Sequence, residues 1–112
     1  MGLFNRFRGG RQQATHRLGP EGDYLANWVA THRGVEAFVE PKTTVTDVTV
    51  VLIAADGEWT RRIVGERGAR KLAGALHIPV YDVRKTGYPQ RMRDFDARRR
   101  IIERREREQQ AE

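Results

Sequence analysis

Val45-Thr46-Asp47-Val48-Thr49-Val50-Val51-Leu52-Ile53-Ala54-Ala55-Asp56-Gly57-Glu58-Trp59-Thr60-Arg61-Arg62-Ile63-Val64 is the stretch that decides the fold. Its first half is rich in β-branched side chains and runs apolar from Val48 to Ala54 apart from Thr49, as in a central strand buried on both faces. Asp56-Gly57 is a hairpin signal because both residue types accept positive φ. The returning strand is expected over Glu58 to Val64.

The flanks extend this hairpin in both directions. Leu25, Trp28, Val29 and His32 recur at the spacing of one helical face, which predicts a helix over residues 21–33. Glu21 and Asp23 suit its N-terminal dipole, and Gly34 is its expected stop. Val35 to Glu40 reads as a short strand closed by Pro41. After Gly65, a helix over residues 66–77 carries Ala69, Leu72, Ala73 and Leu76 on one face, with Gly68 and Gly74 either weakening it or permitting close packing on the sheet. Ile78 to Val83 is a last strand, and Lys85-Thr86-Gly87-Tyr88-Pro89 is expected as a loop. A charged helix from Arg91 to Arg107 follows, anchored by Phe95, Ile101 and Ile102, with acid–arginine pairs four residues apart. The expected class is therefore α/β (α+β): a helix–three strands–helix–strand core in a small mixed sheet flanked by helices, plus a charged C-terminal helix.

A chain of 112 residues fits one domain. Residues 1–20 read as a flexible basic tail, with Gly9-Gly10 and Gly19-Pro20 interrupting any helix; residues 21–102 are the α/β domain, and 103–112 a charged, fraying end. The 21 Lys and Arg outnumber 15 Asp and Glu, a net charge of +6 dominated by arginine. Such a balance favours a polyanionic partner. The chain has no cysteine, which excludes disulfides, thiol nucleophiles and thiolate metal sites. No apolar run approaches the ~20 residues of a membrane span, and no secretory signal opens the chain. A cytoplasmic location without a transmembrane segment is the expectation.

The basic segment from Trp59 to Arg93 is the main candidate site. It holds Arg61, Arg62, Arg67, Arg70, Lys71, Arg84, Lys85, Arg91 and Arg93 against only Glu66 and Asp82, with Tyr81 and Tyr88 interleaved. These nine cations and Tyr88 are the expected nucleic-acid contacts: cations grip phosphates and aromatics stack on bases. The strand-to-helix turn Val64-Gly65-Glu66-Arg67-Gly68-Ala69-Arg70-Lys71 lacks both the GxxxxGK[ST] and the GxGxxG patterns, so it reads as a phosphate-facing surface and not as a nucleotide pocket. His16, His32 and His77 show no zinc spacing, and His32 and His77 suit helix C-termini. No nucleophile–base motif appears, and no cofactor, metal or catalytic residue is expected.

The order of elements over about residues 21–84 resembles the core of the PD-(D/E)xK nuclease-like superfamily. That resemblance implies Asp47 and Glu58 as metal-binding carboxylates, but Glu58-Trp59-Thr60 carries Thr where the family has Lys, and Arg61 and Arg62 are out of register. A scaffold without catalysis is what it implies here. Val35 to Pro41 and Gly87 to Arg93 also resemble stretches of small uncharacterised actinobacterial proteins. Three readings follow: a non-catalytic module binding DNA or RNA, or associated with a ribonucleoprotein, through its arginine-rich surface; a protein-interaction module that docks a partner or a second copy on the C-terminal helix; and a metal-dependent nuclease with a degenerate motif.

Overall fold

The computed structural model describes residues 18–111. They form four helices and one mixed sheet of four strands, the architecture expected from the sequence. In chain order the elements are α1 (Gly19–Thr31), β1 (Glu36–Glu40), β2 (Thr49–Ile53), β3 (Trp59–Ile63), α2 (Gly65–Ala75), β4 (Val80–Asp82), α3 (Val83–Thr86) and α4 (Gln90–Ala111). The strands lie in the order β3-β2-β1-β4. β2 is antiparallel to both β1 and β3, while β4 runs parallel to β1 after the α2 crossover.

All five residues of β2 are buried, because the strand is central and covered on both faces. Its alternation divides the core in two. Val50 and Leu52 face α1 and α2, where they join Leu25, Trp28, Ala37, Ala69, Leu72 and Leu76. Val51 and Ile53 face α4 with Phe38 and Met92, and Trp59 and Tyr88 pack around them. Met92, 7 % exposed, is the anchor of α4. Of the three anchors expected from sequence, Ile101 and Ile102 are 40 % and 53 % exposed. Of the three only Phe95 is partly buried, so the two isoleucines do not anchor α4 to the sheet.

Four local expectations need correction. Gly19 and Pro20 open α1 instead of interrupting a helix, because proline at the first helical positions loses no hydrogen bond. Residues 45–48 are not strand: the Thr43 hydroxyl accepts from the Thr46 N–H at 3.0 Å and the Asp47 carboxylate from the Val48 N–H at 2.7 Å, so local side-chain bonds displace the ladder. Lys85 and Thr86 lie in α3, not in a loop, since the Asp82 carboxylate caps that turn through the Arg84 N–H at 2.9 Å. The C-terminal helix continues past Arg107 to Ala111 with every residue from Arg98 onward exposed.

The β2–β3 hairpin is present, but its turn differs from the two-residue form in which both Asp56 and Gly57 take positive φ. Only Gly57 does, at 93°. The Gly57 N–H donates to the Ala54 carbonyl at 3.0 Å and the Ala54 N–H to the Glu58 carbonyl at 2.8 Å, which makes a three-residue loop with a glycine bulge. The bulge also seats α4. A Cβ at Gly57 would stand 2.0 Å from the Arg91 carbonyl oxygen and 2.9 Å from the Phe95 Cβ. Among the described residues no helix is long and apolar enough to cross a membrane.

Candidate nucleic-acid interface

The ten residues expected to contact nucleic acid do not form one surface. Adjacent strand residues point to opposite faces, and Arg61 and Arg62 are separated in this way. Arg61 lies on the α4 side, where its guanidinium forks onto Glu40 through Nε at 2.8 Å and Nη2 at 3.1 Å. Arg62 lies on the α1 side, 3.7 Å over the Tyr24 ring and 3.3 Å from the Glu21 carboxylate. The Tyr24 hydroxyl is in turn hydrogen-bonded to Thr60 at 2.7 Å.

Arg91 and Tyr88 dock the start of α4 onto the sheet. The Arg91 Nε donates to the Ala54 carbonyl at 2.9 Å, and its Nη2 donates to Glu36 at 2.5 Å. The Tyr88 hydroxyl donates to Glu40, which Arg61 also grips. Tyr81 stacks on Phe38 with ring centroids 5.3 Å apart, and its hydrogen bond to Glu36 raises the phenol pKa. Arg93 donates to Gln90 at 2.8 Å and to the Tyr88 carbonyl at 3.3 Å. Arg84 closes on Asp82 at 2.9 Å; that contact lowers the Asp82 pKa and raises that of Arg84. These side chains are occupied with structural partners.

Arg67, Arg70 and Lys71 differ. All three are exposed on α2, and among the described residues none makes a hydrogen bond or ion pair. With Gly74 they occupy positions i, i+3, i+4 and i+7, one outward helical face, opposite the buried Ala69 and Leu72. Among the described residues nothing outside α2 stands within 4 Å of where a Cβ on Gly74 would lie. Beside this face runs a groove of about 550 Å³, floored by Val39, Val48, Ala69 and Val80 and flanked by Arg70, Arg84 and Lys42 with one acid, Glu66. Lys42 was missed from sequence because it sits alone after Pro41, outside the basic segment; only the fold carries it to α2. Lys85 is exposed on α3 and likewise makes no hydrogen bond or ion pair among the described residues.

The placement of these cations matters more than the net charge. Arg6, Arg8, Arg11 and Arg17 fall outside the described residues in a stretch with no acid, so most of the surplus of +6 belongs there. The remaining 17 cations face 15 acids. In that nearly balanced body, an outward helix face with three cations lacking acid partners is a local excess.

The carboxylates of the nuclease resemblance are not brought together. Asp47 precedes β2 and Glu58 precedes β3 in an antiparallel hairpin, which places them at opposite ends, about 20 Å apart at 3.3 Å per residue. They cannot share one ion, and no group of three or more His, Asp or Glu with metal-site geometry exists among the described residues. Glu58 instead accepts from His32 Nε2, while His32 Nδ1 donates to the Trp28 carbonyl at 2.8 Å and the ring stacks on Trp28 at 3.7 Å. His32 thus closes the C-terminus of α1, as its position in the sequence suggested.

Both His32 nitrogens face acceptors, which favours the imidazolium. Burial opposes it, but the hydrogen bond to Glu58, the Trp28 carbonyl and the Glu58 and Asp56 charges outweigh burial and raise the pKa above 6.5. A raised folded-state pKa stabilises fully below the unfolded value, and that stability is lost as pH rises through the folded value. Stability is therefore expected to fall as pH climbs upward from 6.5, and His32→Gln should flatten that limb. Thermal melts between about pH 5.5 and 8.5 check this; the same slope in both proteins would contradict it.

The fold and this face define a small α+β protein with a cationic helix surface. Comparison with known proteins goes no further: no family model, no curated protein and no solved structure matches the chain.

Proposed function

We propose that the protein is a non-catalytic module that binds nucleic acid through the outward face of α2. Arg67, Arg70 and Lys71 contact successive backbone phosphates, with Lys42 and Lys85 widening the electrostatic footprint. The observation that carries this reading is the contrast in partners: these cations have no acid of their own, whereas Arg61, Arg62, Arg84 and Arg91 are each held by one. The outward face carries no aromatic side chain, so it positions a backbone and does not read bases. Binding is then insensitive to sequence and sensitive to salt.

The test is the triple variant Arg67→Ala, Arg70→Ala, Lys71→Ala, measured by fluorescence anisotropy on labelled duplex and single-stranded DNA and RNA. Affinity at low salt is expected to fall at least about tenfold, whereas Arg61→Ala with Arg62→Ala leaves it within about twofold. Equal losses in the two variants, or none in the triple, would sink the proposal.

A second reading rests on α4. Beyond Arg98, whose guanidinium reaches the Asp56 carbonyl at 3.0 Å, the helix leaves the body with Ile101 and Ile102 exposed. That projecting segment suits docking of a protein or of a second copy. Retention of full polyanion affinity by the triple variant would turn the search to it.

A further inference from the structure

β4 is an edge strand, and no described strand pairs with its outer side. Its backbone can be oriented from one bond. The Ala37 N–H donates to the Pro79 carbonyl at 2.9 Å, with Ala37 in register with Val80. Alternate residues of a strand turn their backbone groups to opposite sides, so Pro79 and Tyr81 face β1. The N–H and C=O of Val80 and the N–H of Asp82 therefore face outward, available to another strand.

Natural edges are usually blunted by shortness and by charge. β4 is short, three residues, but its side chains invite a neighbour. Val80 and Tyr81 are each 37 % exposed and lie on opposite faces of the sheet. Two adjoining cavities border β4: the groove of about 550 Å³ over Val39 and Val80, and a smaller one of about 220 Å³ that shares Val39, Pro41, Val80 and Arg84 with the groove and reaches Asp82 and Tyr81. The surrounding charge is positive. Arg84 is neutralised by Asp82; Lys42, Arg70 and Lys85 remain against Glu66, with no ion pair to a described residue.

We infer that β4 accepts an extended, acidic segment of a partner protein as a fifth strand. The main chain of the segment pairs with Val80 and Asp82. Its side chains alternate between the groove and the Tyr81 face, and its acids meet Lys42, Arg70 and Lys85. This is strand addition with charge selection; it shares Arg70, Lys42 and Lys85 with the proposed phosphate surface, so nucleic acid and the acidic segment compete, and only the backbone pairing on β4 is separate from it.

The experiment titrates a labelled hexapeptide of alternating glutamate and valine into the full chain, with the lysine–valine counterpart as control. The acidic peptide should bind and shift the Val80 and Asp82 amide resonances, and the basic one should bind at least about tenfold more weakly. Val80→Pro removes an outward N–H without touching the β1 ladder, and proline is tolerated at an edge; it should weaken the peptide about tenfold while leaving nucleic-acid affinity intact. An acidic peptide methylated on alternate backbone nitrogens should lose binding to the unaltered protein, which tests the pairing without any variant. No binding of the acidic peptide, equal binding of the methylated one, or equal binding by Val80→Pro would overturn the inference. So would self-association through β4 without peptide binding.

Discussion

Gly57→Ala is expected to destabilise the fold by at least about 3 kcal/mol and to detach the start of α4. Two causes act together. Gly57 sits at φ 93°, where an L side chain is strained. Its Cβ would also lie 2.0 Å from the Arg91 carbonyl oxygen, a backbone atom that cannot swing aside. The helix must therefore move, and with it the Arg91 bonds to Ala54 and Glu36 and the Trp59 indole donation to Asp96 at 2.8 Å. The expected readout is a lowered urea midpoint together with a red-shifted tryptophan emission, as Trp59 loses its cover. A variant with unchanged midpoint and emission would show that the turn does not seat the helix.

Leu52→Ala should cost about 3–5 kcal/mol, by a different route. Leu52 is 0 % exposed on β2 and packs in the cluster formed with α1 and α2. Truncation loses transfer free energy and leaves a cavity that the sheet, fixed by pairing on both sides, cannot collapse to fill. Unlike Gly57→Ala, it should lower the midpoint while Trp59 keeps its cover, because α4 lies on the other face; Trp28 shares the Leu52 cluster, so the Trp59 emission is read in a Trp28→Phe background, where it should not shift. A loss below about 1 kcal/mol would mean that this core is looser than its burial indicates.

These two positions also show why the fold was legible. A continuous apolar run is distinctive for a doubly covered strand, and Asp56-Gly57 marks where it turns back; from these two signals the hairpin and its burial follow. The turn type was not legible, because the same dipeptide serves two loop geometries and the choice depends on α4 pressing on Gly57. Met92 is hard to read as an anchor because flanking arginines hide its spacing, while Ile101 and Ile102 stand out by hydrophobicity alone in a segment exposed along its length.

The candidate site was less legible than the fold, for an electrostatic reason. Sequence gives the sign of each side chain and not its partner. Arg61 and Glu40 are 21 residues apart, and Arg91 and Glu36 are 55 apart, so their mutual neutralisation is created by strand pairing and by the docking of α4. Arg67, Arg70 and Lys71 share one helix face by spacing alone, which the sequence does show. That these three form no ion pair with a described residue although Glu66 is nearby, and that Lys42 joins them, emerges only from the fold.

The salt dependence of nucleic-acid binding tests the central claim most directly, compared between the unaltered protein and the Arg67, Arg70, Lys71 triple alanine variant. Three lost phosphate contacts should lower the slope of log affinity against log salt by about 2.7 on duplex DNA, at roughly 0.9 per contact. That difference cancels whatever the arginines of residues 1–17 contribute to both proteins. Slopes that coincide would contradict the assignment of phosphate contact to α2.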